Sequence, residues 1–324
     1  MVAALLGIVA ITVLAAVISS GASERELRGV SELNRDVIDQ VVLSDKTSEA
    51  TLLKEDGRWM VGNYPVTAWL LDALWETAGR IDGADLIATN PENHPLMGVT
   101  PSTGSLVQFW SGGQLVEEFI ISDREFARPS PEAEIISPWT AAASLCFIRR
   151  PDANEVYGVY CAEPDRFLPV ASWWADPVIT QLIPQDIQSV TFSYPESSYR
   201  LNKVSGIEWR LDDGEQEANL TKTVDLIERF RVLVAEAYPS DEEAPTIDFS
   251  QPDASVSLVI EEQETAAVRN IELLFVRRDS TFYHIKVAAT TWSYLLNVTS
   301  TETILQPRDW FLSSILPRST STAP

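Results

Sequence analysis

The chain has 324 residues, 45% hydrophobic and 22% charged, which is enough apolar mass for packed cores and, at about 100–200 residues per domain, for two of them. It carries 24 Lys+Arg against 47 Asp+Glu, a formal net charge of −23, a field that repels a phosphate backbone and argues against nucleic acid as a partner. The ten Trp suit core packing better than a ligand surface, because several recur at matching places in the chain.

From Val2 to Ile18 every residue is apolar or small except Thr12. At about 1.5 Å per residue this run covers roughly 25 Å, the short end of a bilayer span. Two readings stand. A cleaved signal peptide would use Ser20-Gly21-Ala22 as its small-residue site; an uncleaved anchor would keep the span and tether the rest. Arg25 and Arg28 follow the run, interleaved with Glu24 and Glu26, so the positive-inside rule taken literally puts the bulk in the cytoplasm. The favoured reading is a single transmembrane helix within residues 1–22, since the run exceeds the usual signal-peptide core of about 7–15 residues, with the chain after about residue 24 outside the cytoplasm, because the same segment also works as an export signal.

Residues 23–35 read as a stalk. A cassette then begins at Ile38–Leu43, pairs as a hairpin with Ala50–Lys54, turns at Glu55-Asp56-Gly57 and closes on Arg58–Val61 with Trp59. A helix follows over 66–81, with Pro65 near its start and Val66, Leu70, Leu74, Ala78 and Ile81 on one stripe. The stretch 90–101 reads as loop, and Ser111-Gly112-Gly113 joins strands 105–110 and 115–122 as a hairpin. The cassette recurs at Ile187–Phe192, closing on Gly206–Leu211 with Trp209, before a second helix over 219–235.

The later parts also match. Phe147-Ile148-Arg149-Arg150 precedes Tyr157, and Phe275-Val276-Arg277-Arg278 precedes Tyr283, each reading as strand, Arg-Arg turn, strand. Trp174 and Trp310 then each open an aromatic-rich helical segment. These residues predict an α+β fold of two similar tandem domains, 36–184 and 185–317, each a mostly antiparallel sheet with helices on one face, and a disordered tail over 318–324. Trp59 and Trp209, Tyr157 and Tyr283, and Trp174 and Trp310 are the expected repeat markers. Residues 123–142, with Pro129, Pro131 and Pro138, break the symmetry as a surface insertion, passive or functional. Asp241-Glu242-Glu243 reads as a solvated acidic turn.

The two cysteines are Cys146 and Cys161. If the turn between them centres between Ala153 and Asn154, numbers paired across it sum to 307, the sum for Cys146 and Cys161, and the two face each other as a disulfide candidate; two buried thiols are the alternative. The only histidines are His94 and His284, and neither has a neighbour at zinc-ligand spacing. No phosphate loop or nucleophile elbow occurs, and the carboxylates nominate no acid–base pair. No catalytic, cofactor-binding or metal residue is therefore expected, and no cofactor.

The apolar N-terminal run, the isoleucine-led strand, the Gly-x-Trp closure, the helix and the Arg-turn-Tyr hairpin followed by Trp together resemble the bacterial domain-of-unknown-function family 4340, over about Val37 to Leu316. The resemblance implies a single-pass protein of the bacterial inner membrane with a periplasmic bulk, linked to auxiliary components of gliding-motility-type ABC transport systems. It offers no catalytic residues to carry over and does not explain the 123–142 insertion. The leading expectation is a non-enzymatic accessory or interaction protein, with ABC transporter subunits as partners. A binding module for an envelope polymer or small ligand is the alternative, and an extracytoplasmic hydrolase the minority reading.

Overall fold

A computed structural model describes residues 33–79, 81, 84–122, 126–127, 144–160, 167–212, 214, 216–263 and 265–312. The expected anchor at 1–22, most of the stalk, most of the 123–142 insertion and the tail lie outside the described residues. Among those described, no helix is long and apolar enough to cross a membrane. The chain divides into two compact units, Met1–Asp176 and Pro177–Pro324, ahead of the boundary expected at 184. The reason is that Val178–Gln181 forms a strand belonging to the second unit.

The first unit contains β1 (Gln40–Ser44), β2 (Glu49–Glu55), β3 (Arg58–Val61), β4 (Tyr64–Pro65), β5 (Asp85–Ala88), β6 (Gly104–Ser111), β7 (Gln114–Ser122), β8 (Phe126–Ala127), β9 (Ser144–Arg149) and β10 (Val156–Tyr160). They form one sheet in the order β4-β3-β2-β1-β6-β7-β9-β10-β5, with β8 beside β9. In β1, Val41 and Leu43 are inward and their neighbours half-exposed, the period-2 pattern of a strand with one buried face. The helix Ala68–Gly79 is shorter at both ends than the expected 66–81; it buries Leu70, Leu74 and Ala78 of the expected stripe, while Val66 and Ile81 are buried outside it. Its Trp75 meets Phe109 on β6 at 5.4 Å and Trp59 on β3 at 6.3 Å, which fixes the helix against the sheet. Pro65 lies in β4 opposite Met60 and not in the helix.

Gly112 and Gly113 have φ of 56° and 76°, the paired positive values of a type I′ turn, and they set the β6–β7 register at Ser111↔Gln114. Gly104 matters for space: a Cβ there would meet the carbonyl oxygens of Gly98 and, at 2.6 Å, Ile121. Both are backbone atoms, so Gly104→Ala is expected to cost about 1–3 kcal/mol, read as a lower urea midpoint.

The second unit contains β11 (Val178–Gln181), β12 (Ile187–Tyr194), β13 (Ser197–Ser205), β14 (Glu208–Leu211), β15 (Gln216–Glu217), β16 (Val232–Val234), β17 (Ala254–Glu261), β18 (Val268–Arg277), β19 (Phe282–Val287) and β20 (Tyr294–Asn297). Its main sheet runs β15-β14-β13-β12-β17-β18-β19-β20, and β11 pairs with β16 alone. All strand pairings among the described residues are antiparallel. Asn219 caps the helix Leu220–Arg229 by accepting from Lys222 N at 3.2 Å. This helix stops short of the expected residue 235, because Val232-Leu233-Val234 alternates exposed, buried, exposed and forms β16.

Two local hydrogen-bond pairs recur in both units. Val66 N donates to Trp59 O and Thr67 N to Trp174 O; Ala218 N donates to Trp209 O and Asn219 N to Phe311 O. Isolated bridges join Val66 to Ala175 and Ala218 to Leu312 in the same way. In this pattern Phe311, fully buried like Trp174, stands in the place expected for Trp310. The 3-10 turn Arg308–Phe311 presents its last residue, not its Trp, to the core.

Candidate functional site

The aromatic markers are packing residues. Trp59 and Trp209 are 9% and 5% exposed on β3 and β14. Trp174 sends its Nε1–H to Leu168 O at 2.8 Å, and half-buried Trp310 lies under Lys222 Nζ at 5.2 Å. Tyr157 and Tyr283 sit on different hairpins in sheet order. The Arg-Arg turns join β9 to β10 and β18 to β19, whereas the order of the two sheets matches β9–β10 with β19–β20. The two turns also work differently. Arg149 is 6% exposed, and its guanidinium donates to four carbonyls, those of Val99, Arg150, Pro151 and Ala153, at 2.8–2.9 Å. Burial holds its pKa below the ordinary arginine value. Arg277 is exposed and stacks on Tyr283, 5.4 Å from the ring centre.

The same turn corrects the cysteine register. Cys146 on β9 faces Val159, with Phe147 opposite Gly158, so the hairpin centres between Asp152 and Ala153 and the cysteines are not directly opposed. Arg149 draws the carbonyls of 150, 151 and 153 around itself and tightens the turn there. Cys146 is fully buried and holds no free thiol; Cys161 lies outside the described residues.

The acidic turn at 241–243 is not merely solvated. Glu243 Oε1 accepts from Arg278 Nε at 2.7 Å and lies 3.2 Å from Nε2 of His284, which is 5% exposed on β19. Arg278 also approaches Asp279 at 3.8 Å. With Nε2–H directed at Glu243, the sealed Nδ1 has no partner. The nitrogen away from the carboxylate is closed to solvent, so the pair presents no open imidazole nitrogen at the surface. It ties the loop Ser240–Thr246 to the sheet.

Burial is the main cause that lowers the pKa of His284, ahead of the opposing field of Glu243. The unfolded chain therefore binds this proton at a higher pH than the folded one. Stability is full above the ordinary histidine value of about 6.5 and falls as pH drops through it, by at most about 1.4 kcal/mol per pH unit. Urea unfolding at pH 7.5 and 5.5 is expected to give the lower midpoint at 5.5, with the difference reduced in His284→Phe.

A cleft of about 860 Å³ opens in the second unit. Its walls come from the end of β11, the 3-10 turn Pro184–Asp186, the start of β16 and the β17–β18 hairpin. Leu182, Val232 and Ile260 supply apolar surface; Gln181, Gln185, Gln263 and Thr265 supply neutral polar groups; Asp186, Glu262, Arg231 and Arg269 supply charge. Leu182 N donates to Arg231 O at 3.1 Å, which fixes one wall. Sequence reading missed this site, since its residues come from three separated segments and none forms a local motif. Among the described residues no cluster of His, Cys, Asp and Glu suits a metal ion.

No family model matches the chain. Neither a curated protein nor a solved structure matches it.

Proposed function

We propose that the chain is a non-enzymatic, single-pass membrane protein of the bacterial inner membrane whose two related units stand outside the cytoplasm as an accessory or interaction component of a membrane assembly. An ABC-type transport complex is the partner class, on the resemblance given above. The observation that carries this reading is the run Val2–Ile18, apolar or small but for Thr12, in front of two sheet-built units. Internal duplication is supported by the shared strand order β4-β3-β2-β1-β6-β7 and β15-β14-β13-β12-β17-β18 and by the recurring bonds at Trp59 and Trp209. Surface for a partner is available on edge strand β5, where Leu86 and Ile87 are 55% and 41% exposed.

A bridge between Cys146 and Cys161 belongs to this reading, because an oxidising compartment favours one. Fractionation tests the anchor. The full chain is expected in the membrane pellet and resistant to alkaline carbonate, and a chain lacking 1–22 is expected in the supernatant. Release of the full chain by carbonate would contradict an integral anchor. A second reading, a binding module for a small ligand or envelope polymer, is favoured by the open cleft of the second unit.

A further inference from the structure

We propose that the cleft of the second unit binds the free termini of a short peptide, its ammonium end at Asp186 and its carboxylate end at Arg269. The inference rests on the small-ligand reading of this cleft and not on the membrane partnership. At about 860 Å³ the cleft is in the range that takes small organic ligands. Asp186 lies on its wall, 6% exposed, and its carboxylate has no hydrogen-bond or ion-pair partner among the described residues. The carboxylate lies on the cleft wall without a partner, and a ligand ammonium would supply one.

The other carboxylate of the cleft is already engaged: Glu262 accepts from Thr265 Oγ1 at 2.9 Å and meets Arg269 Nε at 3.6 Å. Of the two guanidinium groups, Arg231 is held in a fork by Glu228, at 2.8 and 3.0 Å. Arg269 is held through Nε alone, which leaves its terminal N–H groups to receive a carboxylate in the bidentate manner. Gln181, Gln185 and Gln263 bring primary amides, which both donate and accept and so match peptide bonds. Among the described residues no aromatic ring lines the cleft, so they offer no stacking platform of the kind a sugar ring favours. One unpaired acid, one cation with donors to spare and amides beside them describe a zwitterion with amide groups.

The test is calorimetric titration of the full chain in detergent with trialanine. The expected result is binding that Asp186→Asn weakens at least about tenfold, matched by the loss when the wild-type protein meets N-acetyl-trialanine. The acetylated peptide should not distinguish Asp186→Asn from wild type. Arg269→Gln, at a side chain 49% exposed and so without risk to the core, should weaken trialanine but not its C-terminal amide. Binding of trialanine unchanged in both variants overturns the proposal, as does no binding at millimolar peptide. If trialanine fails and diacetylchitobiose binds, the peptide assignment falls and the small-ligand reading stands; if neither binds, both fall.

Discussion

Replacing Arg149 by leucine is expected to destabilise the protein by about 3–5 kcal/mol, among the largest effects of any single change in the first unit. The guanidinium is the shared donor for the carbonyls of Val99, Arg150, Pro151 and Ala153. Leucine fills part of the volume but leaves these acceptors, that of Val99 buried and the other three part-buried, short of a donor. For a unit of this size that corresponds to a fall in melting temperature of about 10 °C. Arg149→Lys keeps a positive charge but not the planar fork, and is expected to recover only part of the loss. Scanning calorimetry of the three chains measures this. Equal melting of wild type and Arg149→Leu would show that the turn does not depend on the buried guanidinium.

Trp174→Ala and Phe311→Ala are expected to cost about 3–5 kcal/mol each, the range for large aromatics removed from a core. Both are fully buried, and each lends its carbonyl to the residue that opens the helix of its own unit, Thr67 or Asn219. Phe311 also touches Phe192 at 6.1 Å and Tyr199 at 6.0 Å. Trp173, 38% exposed, and Trp310, half-buried, precede them by one residue. Trp173→Ala and Trp310→Ala should each cost about 1 kcal/mol or less. Urea midpoints of the four variants decide the alignment. A loss in Trp310→Ala equal to that in Phe311→Ala would restore Trp310 as the counterpart of Trp174.

Strands with a single buried face were legible where, as in β12, Val190 and Phe192 alternate with Thr191 and Ser193 at period 2. So was the Gly112-Gly113 hairpin, where the turn chemistry fixes the register. The end of the second helix was not legible: Val232–Val234 suits a strand only once β11 is there to pair with it, 51 residues upstream at the Gln181↔Val232 pair. The cysteine register depended on where a turn centres, and that centre is set by Arg149, whose farthest acceptor, Val99, is remote in sequence. Trp310 was singled out because it is the Trp of its segment, whereas the residue that the turn Arg308–Phe311 buries is its last, Phe311. The cleft stayed hidden for a similar reason. Asp186 looks ordinary in sequence, and what distinguishes it is burial without a partner, a property of the folded neighbourhood.

The central claim, a membrane-held protein that works through another membrane protein, is tested most directly by purifying the full chain from its native membrane in mild detergent and weighing the complex. The expected result is a stoichiometric assembly containing ABC permease subunits, which a charged substitution on the β5 edge, Ile87→Lys, disrupts without lowering the melting temperature. A monodisperse single chain, with the permease in other fractions, would contradict it.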